Sequence, residues 1–231
     1  MHTYVVTLTG TMPIIMHADD IPWADRMEAW KNDPEVKKNK QSKPGDDRTP
    51  AWRWLGHAYQ DGTRFVVPTD NIATCSREGG TMVPVPGGRS GKTFKAQSQS
   101  GIYAPEGYWP LLVGEQEIPW APFAALMQQE NFDRHQDLAA QYGFMLFVKR
   151  VRIGKNKHIR VRPRFDTWKT RGLLRVTDEQ ITKGILLQIL SYAGAYKGLA
   201  DWRPSSPTPG RWGTFTAVIE DAAAAAGRAA A

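Results

Sequence analysis

The chain has 231 residues, of which 41% are hydrophobic and 23% charged, enough for the core of one large domain or two small ones. Its lone cysteine, Cys75, excludes an internal disulfide, and no run of apolar residues is long enough to span a membrane, so we expect a cytoplasmic protein. The formal net charge of +7 is unevenly placed, because residues 149–175 hold eleven Lys or Arg residues and one acid while the rest of the chain has a net charge of −3. One concentrated basic segment is typical of polyanion binding.

The N-terminal quarter predicts a strand, a helix and a basic loop. Residues 3–17 alternate as a β-strand does and bend near Gly10, and residues 23–35 have the spacing of a short helix. Residues 36–48 are polar and Lys-rich, which predicts a loop that either contacts a polyanion or is simply solvated. The histidine and two aspartates of residues 17–20 have no second histidine cluster to converge with, so we expect no metal or cofactor.

The middle of the chain predicts a strand that leads into a helix, followed by a glycine-rich loop. Residues 64–80 contain the strand, Pro68, and a helix that ends at two glycines. Residues 87–93 approximate a phosphate-binding loop, but the first glycine of that motif falls on Pro86. We therefore expect a surface loop, which is either a plain loop or a basic, glycine-rich one in which Lys92 contacts a nucleic-acid backbone. Residues 102–148 predict a Pro- and Trp-rich connector, a helix ending at Gly143 and the start of a strand.

The basic segment itself predicts a hairpin or meander. Residues 158–165 alternate basic and apolar side chains, which places Arg160, Arg162 and Arg164 on one face of a strand at intervals of about 6.5 to 7 Å. Pro163 favours an edge position for this strand, and charge on an edge strand can also serve only to prevent aggregation. Because edge protection needs only a charge or two, the number of cations favours polyanion binding.

The C-terminal quarter predicts a core helix, a loop and a last strand. Residues 177–180 are expected to cap a helix whose apolar positions recur through Ala193. Trp and Arg residues then alternate with glycines, a composition that suits base stacking and phosphate contact, although tryptophans packed under a loop would look the same. Residues 212–219 predict the final strand, and residues 222–231 an Ala-rich tail.

Two stretches resemble the RAMP superfamily, which includes the RNA-binding backbone subunits of class 1 CRISPR effector complexes and phage-borne relatives. Residues 66–80, VVPTDNIATCSREGG, resemble its strand-to-helix element, and residues 197–215, KGLADWRPSSPTPGRWGTF, resemble its C-terminal glycine-rich loop. The resemblance implies an α+β protein with a ferredoxin-like βαββαβ core, forming a single domain over residues 1–221. Insertions are expected at about 18–62, 82–143 and 149–175.

The resemblance and the basic segment together imply a non-enzymatic protein that binds single-stranded RNA or DNA, most readily RNA. We expect it to repeat along the strand as a homo-oligomer or in a multi-subunit complex. The alternatives are a metal-independent ribonuclease that uses His17, His57 or His158 as general base, and a phage assembly protein with a basic docking hairpin. No catalytic residue is assigned, and the expected nucleic-acid-binding residues are Lys92, Lys149, Arg150, Arg152, Lys155, Lys157, His158, Arg160, Arg162, Arg164, Trp168, Lys169, Arg171, Trp202, Arg203 and Arg211.

Overall fold

The structure is a computed structural model that describes residues 1–88 and 91–229. Arg89 and Ser90 of the expected glycine-rich loop, and the last two residues of the Ala-rich tail, lie outside the described residues. The expected α+β class is confirmed by antiparallel sheets combined with helices. The chain, which we expected to form a single domain with insertions, divides into two compact units: unit 1 is Met1–Ile14, Val66–Glu117 and Asp166–Ala231, and unit 2 is Ile15–Phe65 and Ile118–Phe165.

The elements are numbered in chain order. The strands are β1 (His2–Gly10), β2 (Ile14–Ile15), β3 (Val66–Pro68), β4 (Ile102–Tyr103), β5 (Tyr108–Val113), β6 (Gln116–Glu117), β7 (Met145–Ile153), β8 (Asn156–Phe165), β9 (Lys169–Val176) and β10 (Phe215–Asp221). The α-helices are α1 (Ile21–Asn32), α2 (Pro34–Lys38), α3 (Thr69–Gly80), α4 (Lys95–Gly101), α5 (Ala121–Ala124), α6 (Phe132–Gln141), α7 (Lys183–Tyr192) and α8 (Ala222–Ala229). Short 3₁₀ turns lie at Ala51–His57 and Ala125–Gln128, and a π-helical turn lies at Ala193–Lys197.

Unit 1 is built on one antiparallel sheet with the strand order β10-β1-β9-β5-β3, in which β4 also pairs with β9 and β6 with β5. The alternation predicted for β1 places Tyr4, Val6 and Leu8 in the core. Helices α3 and α7 pack beside each other, and a side chain at Gly79 would collide with the backbone carbonyl of Ile189. The glycine therefore permits the close approach of these two helices.

Unit 2 encloses an aromatic core beside the β7–β8 hairpin. Its buried rings include those of Trp54, Phe65, Phe123, Phe144 and Phe165. The rings of Phe144 and Phe165 stack, with centroids 4.7 Å apart and planes inclined by 26°. Since Phe165 ends β8 and Phe144 directly precedes β7, this stacked pair fixes the base of the hairpin to the core.

A buried histidine attaches helix α6 to the same core. The indole nitrogen of Trp54 donates to Nδ1 of His135 at 3.0 Å, so that the other ring nitrogen can donate to the carbonyl of Gln129 at 2.7 Å. Burial lowers the pKa of His135, which favours the neutral ring that this pair of hydrogen bonds requires. We infer that His135 is a structural residue.

The first part of the basic segment forms a hairpin, and its last part belongs to a different sheet. Strands β7 and β8 pair over their whole lengths, but β9 pairs with β1, β4 and β5, so no meander forms. Nor is β8 an edge strand, because Met16 N donates to the carbonyl of Pro163 at 3.0 Å on the side away from β7. Proline lacks a backbone N–H but keeps its carbonyl, so Pro163 can still accept this hydrogen bond within a central strand. The edge of this sheet on the other side is β7.

Candidate nucleic-acid interface

The β7–β8 hairpin presents its cations chiefly around the turn. Its register places Arg152 opposite Lys157, and the turn residue Gly154 has a φ of +58° that glycine adopts without strain. The side chains of Arg150, Arg152, Lys155 and Lys157 are exposed, and we call these four residues the hairpin tip. Lys149 is half-buried, and burial lowers the pKa of its ammonium group. The hairpin tip is therefore a compact, exposed cationic surface.

Farther along β8, two of the three arginines expected on one face are engaged by a buried carboxylate. Asp47 is fully buried, and it accepts from Arg160 at 2.9 Å and from Arg162 at 3.2 Å. A third guanidinium, that of Arg53, lies 3.3 Å from the same carboxylate. The guanidinium of Arg164 lies over the ring of Phe147, 5.4 Å from its centroid. The arginine row is therefore held from within the chain.

Asp47 reaches this position because its loop pairs with the hairpin. Asp47 N donates to the carbonyl of Ile159 at 3.0 Å, and Ile159 N donates to the carbonyl of Gly45 at 2.7 Å. Gly45 has a φ of +77°, and a Cβ there would lie 2.8 Å from Nδ1 of His158. We expected residues 36–48 to form a loop that is solvated or contacts a polyanion. Instead, the first of these residues belong to helix α2, and the last are hydrogen-bonded to the backbone of β8.

The charges around Asp47 do not cancel. One carboxylate faces three guanidinium groups, so the cluster has an excess of two positive charges. The side chains of Arg53 and Arg160 are 23% and 27% exposed, whereas that of Arg162 is only 11% exposed. Part of the excess charge is accordingly accessible to an anion from solvent.

A cleft of about 330 Å³ opens beside Arg53 and Arg160. Trp30 and Met27 of helix α1 form one wall, and the loop that carries Lys43 forms another. The remaining lining residues are Lys31, Ser42, Pro44, Gly45, Thr49 and His158. In the sequence, Trp30 is only one apolar position of a predicted helix and Arg53 is an isolated arginine, so neither has a pattern that indicates a binding site.

Two of the histidines considered as general bases lie near each other in unit 2. The rings of His17 and His57 have centroids 5.2 Å apart, and a nitrogen of Arg162 lies 3.2 Å from Nε2 of His17. Burial, reinforced by the charge of Arg162, lowers the pKa of His57 to about 2. His57 is thus neutral at physiological pH. The third histidine, His158, lines the cleft.

The other expected binding residues belong to unit 1, and several have structural partners. Trp168 is 2% exposed and its indole donates to the carbonyl of Met12 at 2.9 Å, so it is a core residue with no face free for a base. Lys169 pairs with Glu115, and Arg171 pairs with Glu220 at 3.3 Å.

The C-terminal loop of unit 1 holds its tryptophans in contact with each other. The rings of Trp202 and Trp212 lie 5.7 Å apart, and the guanidinium of Arg203 donates to the carbonyl of Ala200 at 3.0 Å. Arg211 is exposed, as is Lys92 in the glycine-rich loop. These contacts give Arg203 a part in holding the loop, whereas Arg211 and Lys92 remain on the surface.

Within residues 1–88 and 91–229, no cluster of three or more His, Cys, Asp or Glu side chains could hold a metal ion. Burial raises the pKa of the Cys75 thiol to about 12, so the thiol stays protonated at neutral pH. Over the same described ranges, no helix combines the length and the apolar character needed to cross a membrane.

No protein-family model matches the chain, and no match was found among curated proteins.

Proposed function

We propose that this protein binds single-stranded nucleic acid, RNA in the first instance, without catalysing a reaction on it. The observation that carries the proposal is the charge of unit 2. Residues 15–65 and 118–165 contain 18 Lys and Arg residues against 12 Asp and Glu residues, a net charge of +6 in a chain of +7. Phosphate neutralisation by such cations supplies most of the affinity in sequence-independent binding.

The form of this charge favours a flexible strand. The hairpin tip is narrow, and the partly exposed arginines of the Asp47 cluster lie beside a tryptophan in the cleft. Cations that follow a backbone, combined with an aromatic ring on which a base can stack, are the usual means of holding single strands. A duplex, whose bases are already stacked, would gain nothing from the ring.

We further propose that unit 1 is a ferredoxin-like core of the RAMP type. Its antiparallel sheet has β1 between β10 and β9, with β5 outside β9, which is the arrangement of a βαββαβ unit with the first strand between the last and the third. Helix α3 precedes β4 and β5, and α7 lies between β9 and β10, as that unit requires. On this proposal, subunits repeat along the strand as the backbone of a CRISPR-like or phage ribonucleoprotein.

Ribonuclease activity is a second candidate, because His17, His57 and Arg162 lie close together. A general base is most effective when its pKa lies near the operating pH. Burial lowers the pKa of His57 to about 2, so its ring is a weak base at neutral pH, which makes binding without cleavage the better supported function. Incubation with labelled RNA in EDTA should leave the RNA intact. Cleavage that disappears in His17→Gln would establish the ribonuclease instead.

The test of binding is a titration of the full chain with labelled single-stranded RNA, single-stranded DNA and duplex RNA. We expect tight binding of single strands and a loss of about ten-fold or more in the variant Arg152→Gln, Lys155→Gln, Lys157→Gln. A control variant, Lys95→Gln, Arg134→Gln, Lys183→Gln, removes the same charge from exposed positions elsewhere and should bind as the wild type does.

Equal losses in the two triple variants would mean that binding follows net charge alone and would remove the hairpin tip from the interface. Failure to bind any of the three nucleic acids would refute the proposal and favour an acidic protein partner for the hairpin, as in a phage assembly protein.

A further inference from the structure

We propose that the cleft beside the Asp47 cluster is a nucleotide subsite, in which Arg53, Arg160 and Lys43 take a phosphate and Trp30 stacks against the base. This inference rests on the proposed function, because the nucleotide would belong to the bound strand. The recognised chemistry is a phosphate ester attached to a nucleobase, and the experiment below separates a nucleotide of a strand from a free one.

The lining of the cleft is selective for an anion. Four Lys or Arg side chains line it, those of Lys31, Lys43, Arg53 and Arg160, and His158 adds a ring that can also donate. Among the described residues that line the cleft, there is no Asp or Glu. Asp47, the carboxylate that contacts Arg53 and Arg160, is fully buried, and Glu28 of helix α1 lies 3.7 Å from Lys31 without lining the cleft.

Asp47 also orients the arginines before any ligand arrives. It contacts Nη2 of Arg53 and Nη1 of Arg160, and a guanidinium group has five N–H donors. Each arginine therefore keeps donors for a phosphate while its position is set by the buried carboxylate. Donors held in place in this way bind an anion without the entropic cost of ordering long side chains.

Trp30 supplies a fixed aromatic wall. Its ring meets that of Trp52 edge to face, with centroids 6.1 Å apart and an interplanar angle of 85°. Trp30 also borders a second cleft, whose lining includes Asp33 and Glu130 beside Arg26. A phosphate would be repelled there, so the first cleft is the one that suits a nucleotide. Its volume of about 330 Å³ is at the small end of the range for ligand sites, about 300 to 1,000 Å³.

The experiment titrates the full-length protein with adenosine 5′-monophosphate, adenosine, inorganic phosphate and a 5′-phosphorylated dinucleotide, and follows tryptophan fluorescence and heat. Adenosine 5′-monophosphate should bind about ten-fold more tightly than adenosine or phosphate alone, because each of these lacks one of the two contacts. The dinucleotide should bind at least as tightly if the subsite belongs to a strand. A dinucleotide that binds more weakly than the mononucleotide would assign the cleft to free nucleotides and overturn that part of the inference.

The variants Lys43→Gln and Trp30→Leu identify the cleft. Lys43→Gln removes an exposed cation and should weaken the mononucleotide by about three- to ten-fold, whereas the control Lys38→Gln, on helix α2 and outside the cleft, should have no effect. Trp30→Leu should bring the mononucleotide to the affinity of phosphate, a loss of about ten-fold. Wild-type affinity in Lys43→Gln would overturn the inference, whatever the stability of Trp30→Leu.

The outcomes also separate this inference from the proposed function. If the hairpin-tip variant loses RNA binding while no mononucleotide binds the wild type, the subsite is refuted and single-strand binding stands. If the mononucleotide binds in the cleft but no single strand binds, the strand proposal is refuted together with the assignment of the subsite to a strand.

Discussion

At the scale of single residues, the position of Asp47 determines how the cations of unit 2 can act. Three guanidinium groups surround one fully buried carboxylate, and two of them also line the cleft. Removal of the carboxylate would leave the arginines close together with no anion between them. Asp47 thus has a structural role, because it holds in position two arginines that line the proposed binding cleft.

The first prediction follows from that arrangement. Asp47→Asn should lower the free energy of unfolding by about 3 kcal/mol, because it removes one member of a buried charge cluster. Urea denaturation at neutral pH measures this change. The control is Asp46→Asn at the next position, where the carboxylate pairs with an Arg48 side chain that is 46% exposed, and the expected loss is at most about 1 kcal/mol.

Equal losses in the Asp47→Asn and Asp46→Asn variants would show that Asp47 contributes no more than a surface acid. The same cluster also limits the use of arginine variants as probes of binding, since Arg160 and Arg162 cannot be removed without leaving Asp47 less compensated. Substitutions in the hairpin tip avoid this difficulty.

His57 predicts how stability depends on pH. In the unfolded chain it takes up a proton near pH 6.5, whereas in the folded protein burial lowers its pKa to about 2. Since the unfolded state binds the proton first, stability is retained above about pH 6.5 and is lost as the pH falls below it, by about 2 kcal/mol between pH 7 and pH 5.

Urea denaturation at the two pH values tests the assignment. His57→Gln should remove that share of the loss, whereas His2→Gln, at an exposed position, should leave it unchanged. A wild-type pH dependence in His57→Gln would assign the effect to other groups, such as His135, whose pKa is also lowered by burial.

At the scale of elements, the buried face of helix α7 could be predicted from local sequence patterns, but its first residue could not. Its apolar spacing predicted a core helix, and Leu186, Ile189 and Leu190 are buried. The expected cap at residues 177–180 was wrong, because the helix begins at Lys183 and Thr182 is its N-cap. Both stretches contain a Thr that could cap a helix, and Ile181, which the apolar spacing placed within the helix, is 1% exposed but lies before its first residue.

The corrected cap gives a prediction with an internal control. Thr182 Oγ1 accepts from the backbone N–H of Ile185 at 3.3 Å, so Thr182→Ala should lower the free energy of unfolding by about 1 kcal/mol. Thr177→Ala changes the same residue type in the stretch where the cap was expected and should cost much less. Thermal or urea denaturation of the two variants measures the difference, and a larger loss at Thr177 would contradict the helix start.

In the β7–β8 hairpin, too, local burial could be predicted from the sequence but long-range pairing could not. Alternation of residues along β8 correctly predicted that Val161, Pro163 and Phe165 are buried, because the period of a strand is a local property, although Ile159 is only half-buried. The edge position inferred from Pro163 was wrong, since the partners on its other side come from segments more than a hundred residues earlier. Local pattern cannot reveal such long-range pairing, nor could it reveal that Asp47 lies between the arginines.

At the scale of the whole molecule, the basic segment that is continuous in sequence is shared by two units. Residues 149–165 belong to unit 2. Residues 166–175 belong to unit 1, where most of them lie in strand β9. Total charge and its concentration could be read from the sequence. The division into units could not, because each unit is assembled from segments that are distant in sequence and held together by tertiary packing.

This division predicts how binding of single-stranded RNA depends on salt. The logarithm of the affinity falls with the logarithm of salt concentration by about 0.7 for each phosphate that is neutralised. Loss of Arg152, Lys155 and Lys157 should reduce the slope by about 2, because these side chains are exposed and carry uncompensated charge in a unit of net +6.

The matched comparison is Lys169→Gln with Arg171→Gln on β9, whose charges are already paired with Glu115 and Glu220. This double variant should leave the slope within about 0.5 of the wild type, since little counterion is released from cations that are neutralised within the chain. Titrations at four or more salt concentrations would measure both slopes. If the double variant lowers the slope as much as the hairpin tip does, the bound strand also contacts the sheet of unit 1, and the interface extends to both units.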